Sequence, residues 1–355
     1  MKLSEFGNTG MRVSELGFGG SRIGGIFAGS GSSSEAQRVL RAALDAGVTF
    51  FDTADVYAQG ESESLMGRAF HGRREQVVLA TKGGFCLPAR RSFIRRLKPL
   101  VRPVVQALGV KRTNLPSGIS GALSQNFSPR HLIRALEASL KRLQTDHVDL
   151  YQLHSPPAPL MQSDAFSEAL GTLEKLKLQG KLRFYGIAAE VPEDVPFCLS
   201  APGIASVQLG FGLLDPYVLD HGILASAHTR GLGIIARGCF AGGLLKDGIE
   251  AARLKDMTPK WPRVLALRSM SKNMGRSVLD VAFQFCRGTP AVAITLVGMR
   301  TEGHLRENLR YVQAPHLTPE DYLALRQLGA SGDDPAGGDR RSARKTVTPP
   351  DENPR

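Results

Sequence analysis

The stretch SPRHLIRALEASLKRLQTDHVDLYQLH, residues 128–154, changes its hydrophobic period halfway along. Ser128 can cap a helix, with Pro129 at the first helical position, where the missing N–H removes no bond. Leu132, Ile133, Leu136, Leu140 and Leu143 then recur every three or four residues, which predicts one apolar helix face packed on a wall. Val148–His154 follows as a short, mostly apolar run ending in a polar residue, the pattern of a strand buried on both faces. A helix that feeds a buried strand is part of a βαβ unit.

Working outward, the same alternation recurs. Strands are predicted at Glu15–Gly19, Val48–Asp52, Val77–Lys82, Val148–His154, Leu182–Ile187, Ile204–Gln208, Gly233–Arg237 and Val292–Val297. Helices are predicted between them: one opens on the Ser32-x-x-Glu35 capping box and ends at Gly47. Others lie near Asp164–Gln179, Pro216–Thr229, Trp261–Met274, Ser277–Arg287 and Glu302–Tyr311, with one more starting at Thr318. The pattern predicts an α/β fold, a (β/α)8 TIM barrel forming a single domain over residues 1–330. Residues 1–13, with a turn at Gly7-Asn8-Thr9-Gly10, predict an N-terminal hairpin plugging the bottom of the barrel. The 83–127 connection is a long basic insertion, predicted to be functional or mobile, and residues 331–355 predict a disordered tail.

Composition narrows the function. Of 355 residues, 42% are hydrophobic and 22% charged, which suits a globular core. No apolar run reaches the roughly 20 residues of a membrane helix, and the first residues lack a signal pattern, so the expected address is cytoplasmic. Cys86, Cys198, Cys239 and Cys286 are far apart and predict reduced thiols and no metal site. The net charge of +12 is local: from Gln76 to Leu136 there are eleven Lys and Arg and no carboxylate. That favours one basic surface over general nucleic-acid binding, and no nucleic-acid partner is expected. Within the insertion Phe93, Ile94, Leu97, Leu100, Val101, Val104, Val105 and Leu108 recur at helical spacing, broken by Pro99 and Pro103. This reads as two short amphipathic pieces serving as a lid, an anion-steering site, or a membrane or docking element.

Barrel enzymes carry their chemistry at the carboxyl ends of the strands. Asp52 ends the second strand, with Tyr57 in the loop beyond; Lys82 ends the third and His154 the fourth. Hydride delivery to a carbonyl leaves an alkoxide that needs a proton, and a Tyr beside an ammonium can supply it. Lys82 can be that ammonium, Asp52 its counter-ion, and His154 a hydrogen-bond donor to the same oxygen. Asp52 and Lys82 could instead be a buried structural pair. His131, His147, His221 and His228 carry no assigned role, and Gly231-x-Gly233-x-x-Ala236 is set aside as a dinucleotide fingerprint because it leads into a strand.

The run Phe51-Asp52-Thr53-Ala54-Asp55-Val56-Tyr57, the Glu63-x-x-x-Gly67 after it, Ala80-Thr81-Lys82 and Leu150-Tyr151-Gln152-Leu153-His154 together resemble the aldo-keto reductases. The resemblance covers residues 1–328. It implies a (β/α)8 barrel binding NADP(H) without a Rossmann domain, and an Asp52-Tyr57-Lys82-His154 tetrad reducing a small carbonyl substrate or oxidising the alcohol; an anionic substrate is expected only if the basic insertion steers it. It also implies cofactor contacts at Gly20, Ser21, Asp52, Gln208, Arg237, Gly238, Leu244, Gly298, Arg300, His304, Glu307 and Asn308. One departure stands out: where the family has Ser-Asn after strand five, this chain has Ala188-Ala189, a loss of about 1–3 kcal/mol of nicotinamide binding unless Glu190 or water compensates. Arg237 stands where many members stack a Tyr on nicotinamide, and a planar guanidinium can stack too. The alternatives are an NADPH-binding regulatory or docking subunit with little turnover, and a Schiff-base barrel working through Lys82.

Overall fold

The computed structural model describes residues 1–24, 32–86, 124–215, 217–246 and 260–330. Its centre is a closed barrel of eight parallel strands: β3 (Leu16–Gly19), β4 (Phe50–Asp52), β5 (Val78–Gly83), β8 (Val148–His154), β9 (Leu182–Ala188), β10 (Ser206–Gly210), β11 (Gly233–Arg237) and β12 (Val292–Gly298). They pair in chain order, and β12 returns to β3 to close the ring. Each predicted strand is present, with ends shifted by at most a few residues.

Period-two alternation divides the strands into two faces. Inward, Phe50, Ala80, Leu150, Ile235, Ile294 and Leu296 form an apolar plug with Phe6, Met11 and Val13 from the amino terminus. Outward, Phe51, Leu79, Tyr151, Leu153, Val207 and Leu209 pack under the surrounding helices. Phe6 comes from the predicted hairpin, β1 (Leu3–Glu5) against β2 (Arg12–Ser14). Its ring lies 5.9 Å from Phe50, and Asn8 N–H donates to the Gly231 carbonyl at 2.7 Å, so the turn seals the end where the strands begin.

The helix Pro129–Leu143 starts as its sequence indicates: the Ser128 hydroxyl accepts from His131 N–H, and Leu132, Leu136, Leu140 and Leu143 are buried. Ile133 is a correction. It is 37% exposed: about 65° from the centre of the stripe made by Leu132, Leu136, Leu140 and Leu143, it lies at that stripe's edge. A second correction concerns Pro216–Thr229, which is two short helices, Tyr217–Asp220 and Ile223–Thr229, separated at Gly222 in the left-handed region. Helix Glu61–Ala69 packs on Pro129–Leu143: Glu63, fully buried, takes Arg142 at 2.5 Å and the Thr81 hydroxyl at 2.7 Å. The two sides of the insertion meet in a ribbon of β6 (Phe85–Cys86) and β7 (Ser124–Gln125) that the sequence did not announce. The amphipathic pieces read between them and the tail 331–355 lie outside the described residues.

Candidate active site

The inner-face register that fills the barrel with Phe50, Ala80 and Leu150 continues one layer upward with polar residues. Asp52, Lys82, Gln152, His154 and Gln208 stand two or four positions beyond inward apolar residues of their strands or level with them in the ladder. A two-residue period therefore delivers these groups to one mouth.

Lys82, 1% exposed, spends its three ammonium protons there: on Asp52 Oδ2 at 2.6 Å, the Thr53 carbonyl at 2.9 Å and the Tyr57 hydroxyl at 3.4 Å. Asp52 Oδ1 accepts from the amides of Gln152 at 3.3 Å and Gln208 at 3.2 Å. Burial raises the Asp52 carboxyl above its usual value, with Lys82 opposing that shift. Burial also pulls Lys82 down, but the charge of Asp52 and the nearby Tyr57 outweigh it, so the proton stays on Lys82. Tyr57 opens the turn Tyr57–Gly60, in which Ala58 and Gln59 adopt φ of 49° and 62°, strained values for residues with a Cβ. This turn carries the phenol back over the barrel. The Tyr57 and His154 rings stand edge to face 5.8 Å apart, and Phe85 closes the other side of His154 at 4.7 Å. Burial first, then the charges of Lys82 and Arg237, hold the imidazole well below its usual range, so His154 is neutral at pH 7; its Nδ1 has no hydrogen-bond partner among the described residues. A phenol backed by an ammonium, next to a neutral imidazole, can pass a proton to an oxygen placed between them and stabilise the phenolate left behind.

Beside this cluster opens a cavity of about 970 Å³. Eleven of the twelve residues proposed for cofactor contact line it: Ser21, Asp52, Gln208, Arg237, Gly238, Leu244, Gly298, Arg300, His304, Glu307 and Asn308. Gly20 does not. It is buried under Ser62, whose hydroxyl donates to its carbonyl at 2.9 Å, and it supports the wall from behind. Sequence reading missed two cations of the lining: Arg22, which follows Ser21, and Lys246, two positions beyond Leu244. At the far end Thr301 caps the helix Glu302–Gln313 through His304 N–H, so the helix presents its amino terminus toward Arg300. The Arg237–Leu244 wall is shaped by left-handed residues at Gly238, Ala241, Gly242 and Gly243, which curl the backbone around the opening.

Two expected roles change in detail. Gln208 donates its amide to Asp52 while lining the cavity. Arg237 reaches across to the carbonyls of Ala189 at 2.8 Å and Glu190 at 3.0 Å, so its guanidinium ties the end of β11 to the loop after β9, where Ala188-Ala189 offers no polar side chain. Glu190 itself turns to the Ser155 hydroxyl at 3.0 Å.

Comparison with known proteins agrees with this architecture. The family model described as "Aldo/keto reductase family" matches residues 15–330. The chain is 28% identical over 342 residues to the aldo-keto reductase YhdN of Bacillus subtilis, covering 90% of this chain and 91% of that one. It is 28% identical over 329 residues to L-galactose dehydrogenase of Arabidopsis thaliana, covering 88% of each. Among solved structures it resembles the holo form of aldo-keto reductase AKR11C1 from Bacillus halodurans, with a TM-score of 0.73 and 26% identity over 92% of this chain and 96% of that one. With a family match over nearly the whole chain and a barrel that superposes on a solved member, this protein belongs to the aldo/keto reductase family of oxidoreductases.

Proposed function

We propose that the chain is an NADP(H)-dependent carbonyl reductase, working as one catalytic domain over residues 1–330, that converts an aldehyde or ketone of a small organic substrate to the alcohol, or runs the reverse reaction. The observation that carries this reading is the single ammonium of Lys82 shared between Asp52 at 2.6 Å and the Tyr57 hydroxyl at 3.4 Å, beside a cavity of cofactor size. Tyr57 gives its hydroxyl proton to the carbonyl oxygen as charge develops there. Lys82 stabilises the phenolate, Asp52 keeps Lys82 charged, and the one N–H of neutral His154 orients the same oxygen. In the alcohol-oxidising direction Tyr57 takes the proton back.

The residues present fit a dinucleotide with an extra phosphate. Arg22, Lys246 and Arg300 in the cavity lining supply cations, His304, which burial and then Lys246 and Arg300 hold below its usual range, adds a neutral ring that can hydrogen-bond, and a helix amino terminus adds its dipole. Arg300, His304, Glu307 and Asn308 would hold the adenosine end, the Gly238–Leu244 loop the pyrophosphate, and Ser21, Gln208 and Arg237 the nicotinamide end. When bound, the nicotinamide supplies the hydride. None of the four cysteines is in a disulfide, and no described helix is long and apolar enough to cross a membrane; both fit the cytoplasmic address proposed here.

The test is fluorescence titration with NADPH and NADH, followed by loss of reduced-nicotinamide absorbance over a panel of neutral and anionic aldehydes and ketones. Tight NADPH binding with turnover supports the reading. Binding without turnover on any member of a broad panel would move the protein to a regulatory or docking role.

A further inference from the structure

A second cavity, of about 670 Å³, opens between the loop after β4, the β6–β7 ribbon and the helix Pro129–Leu143. None of its lining residues lines the larger cavity, although Val56 of the one directly precedes Tyr57 of the other. Its charge is unbalanced. Arg130 and Arg134, one helical turn apart, face it with no ion pair to any described residue, whereas the third guanidinium, Arg142, is committed to Glu63. The lining's one carboxyl is Asp55, whose Oδ1 is buried without a hydrogen-bond partner among the described residues. Burial, and then the charge of Glu63, push that carboxyl up to about 8, so at pH 7 it is mostly neutral and can donate. Burial and then Arg134 lower His131, and burial raises the Cys86 thiol, so neither supplies a countercharge. The neighbouring chain cannot supply one either, because residues 76–136 contain no carboxylate. Two guanidinium groups with no ion pair among the described residues, beside a mostly neutral carboxyl whose Oδ1 has no hydrogen-bond partner among them, make a site complementary to an anion that also accepts hydrogen bonds.

We propose that this cavity binds a small organic oxyanion, a carboxylate or a phosphate monoester, held by Arg130 and Arg134 with Asp55 at its floor, at a site separate from that of hydride transfer. The inference does not depend on the proposed reductase activity.

Isothermal titration calorimetry of the full chain at pH 7 and fixed ionic strength tests it, with succinate and glycerol 3-phosphate as probes, in the presence and absence of saturating NADPH. The expected result is one saturable site for at least one probe, unaffected by NADPH and weakened about tenfold or more in Arg130→Ala/Arg134→Ala. Both arginines are exposed, so the double variant should keep the wild-type melting temperature. Whichever probe binds more tightly identifies the head group. Absence of saturable binding by either probe, equal affinity in the double variant, or displacement by NADPH would each overturn the proposal.

Discussion

Replacing Lys82 with Met separates the electrostatics of the barrel mouth from its packing, because the two side chains are similar in length. The Asp52 carboxyl, 2% exposed, would then keep only the amides of Gln152 and Gln208. A buried carboxylate without a counter-ion takes up a proton sooner than it remains charged. Protonating it at pH 7 from an ordinary value of 3.8 limits the loss of stability to about 4 kcal/mol, at roughly 1.4 kcal/mol per pH unit. The sign follows from the raised folded-state value: the variant's stability is fully present below about pH 3.8 and is lost as pH rises toward the raised value. Because burial raises Asp52 in the wild type as well, urea unfolding should show the gap between wild type and Lys82→Met widening from pH 5 to pH 7 by an amount below the roughly 3 kcal/mol that one group titrating in the variant alone would give. Adding Asp52→Asn removes the titrating group and should restore most of the stability while reduction stays abolished. A gap that is constant between pH 5 and pH 7, or a double variant no more stable than the single one, would refute the charge-pair reasoning.

Arg300→Ala should cut the preference for NADPH over NADH by about tenfold or more, read from the two dissociation constants, since it removes a cation from the phosphate end. Arg237→Ala breaks the ties to the Ala189 and Glu190 carbonyls; thermal melting should show a loss of about 1–3 kcal/mol, with weaker NADPH binding. In Gly83→Ala the new Cβ would overlap the Tyr151 hydroxyl, which has no hydrogen-bond partner among the described residues. Denaturant unfolding should show a loss of about 1–3 kcal/mol, partly relieved by Tyr151→Phe, since the ring carbon beneath the hydroxyl also lies close to the new Cβ.

The strands and the mouth were legible because both follow from a two-residue period. Phe50 and Asp52, or Leu150, Gln152 and His154, share a face whatever the loops do. The cap at Ser128 was legible as local chemistry. What escaped was non-local. The β6–β7 ribbon joins two-residue segments far apart in sequence, too short for periodicity to mark. The contact of Phe85 with His154, the bridge from Arg237 to the β9 loop and the presence of Arg22 and Lys246 on the cavity wall depend on how loops fold back over the barrel. Gly20 was expected in the lining from the resemblance alone, and the contact of its carbonyl with the Ser62 hydroxyl is non-local. Ile133 shows the limit of the helical pattern: the spacing admits it to the apolar face, and only the packing angle leaves it in solvent.

The most direct test of the central claim is the comparison of wild type with Tyr57→Phe, measuring NADPH affinity by fluorescence and carbonyl reduction by absorbance on the same preparations. The account predicts an NADPH dissociation constant within about twofold of wild type and turnover lower by at least about a hundredfold, the share assigned to proton transfer. Turnover unchanged in Tyr57→Phe would contradict it.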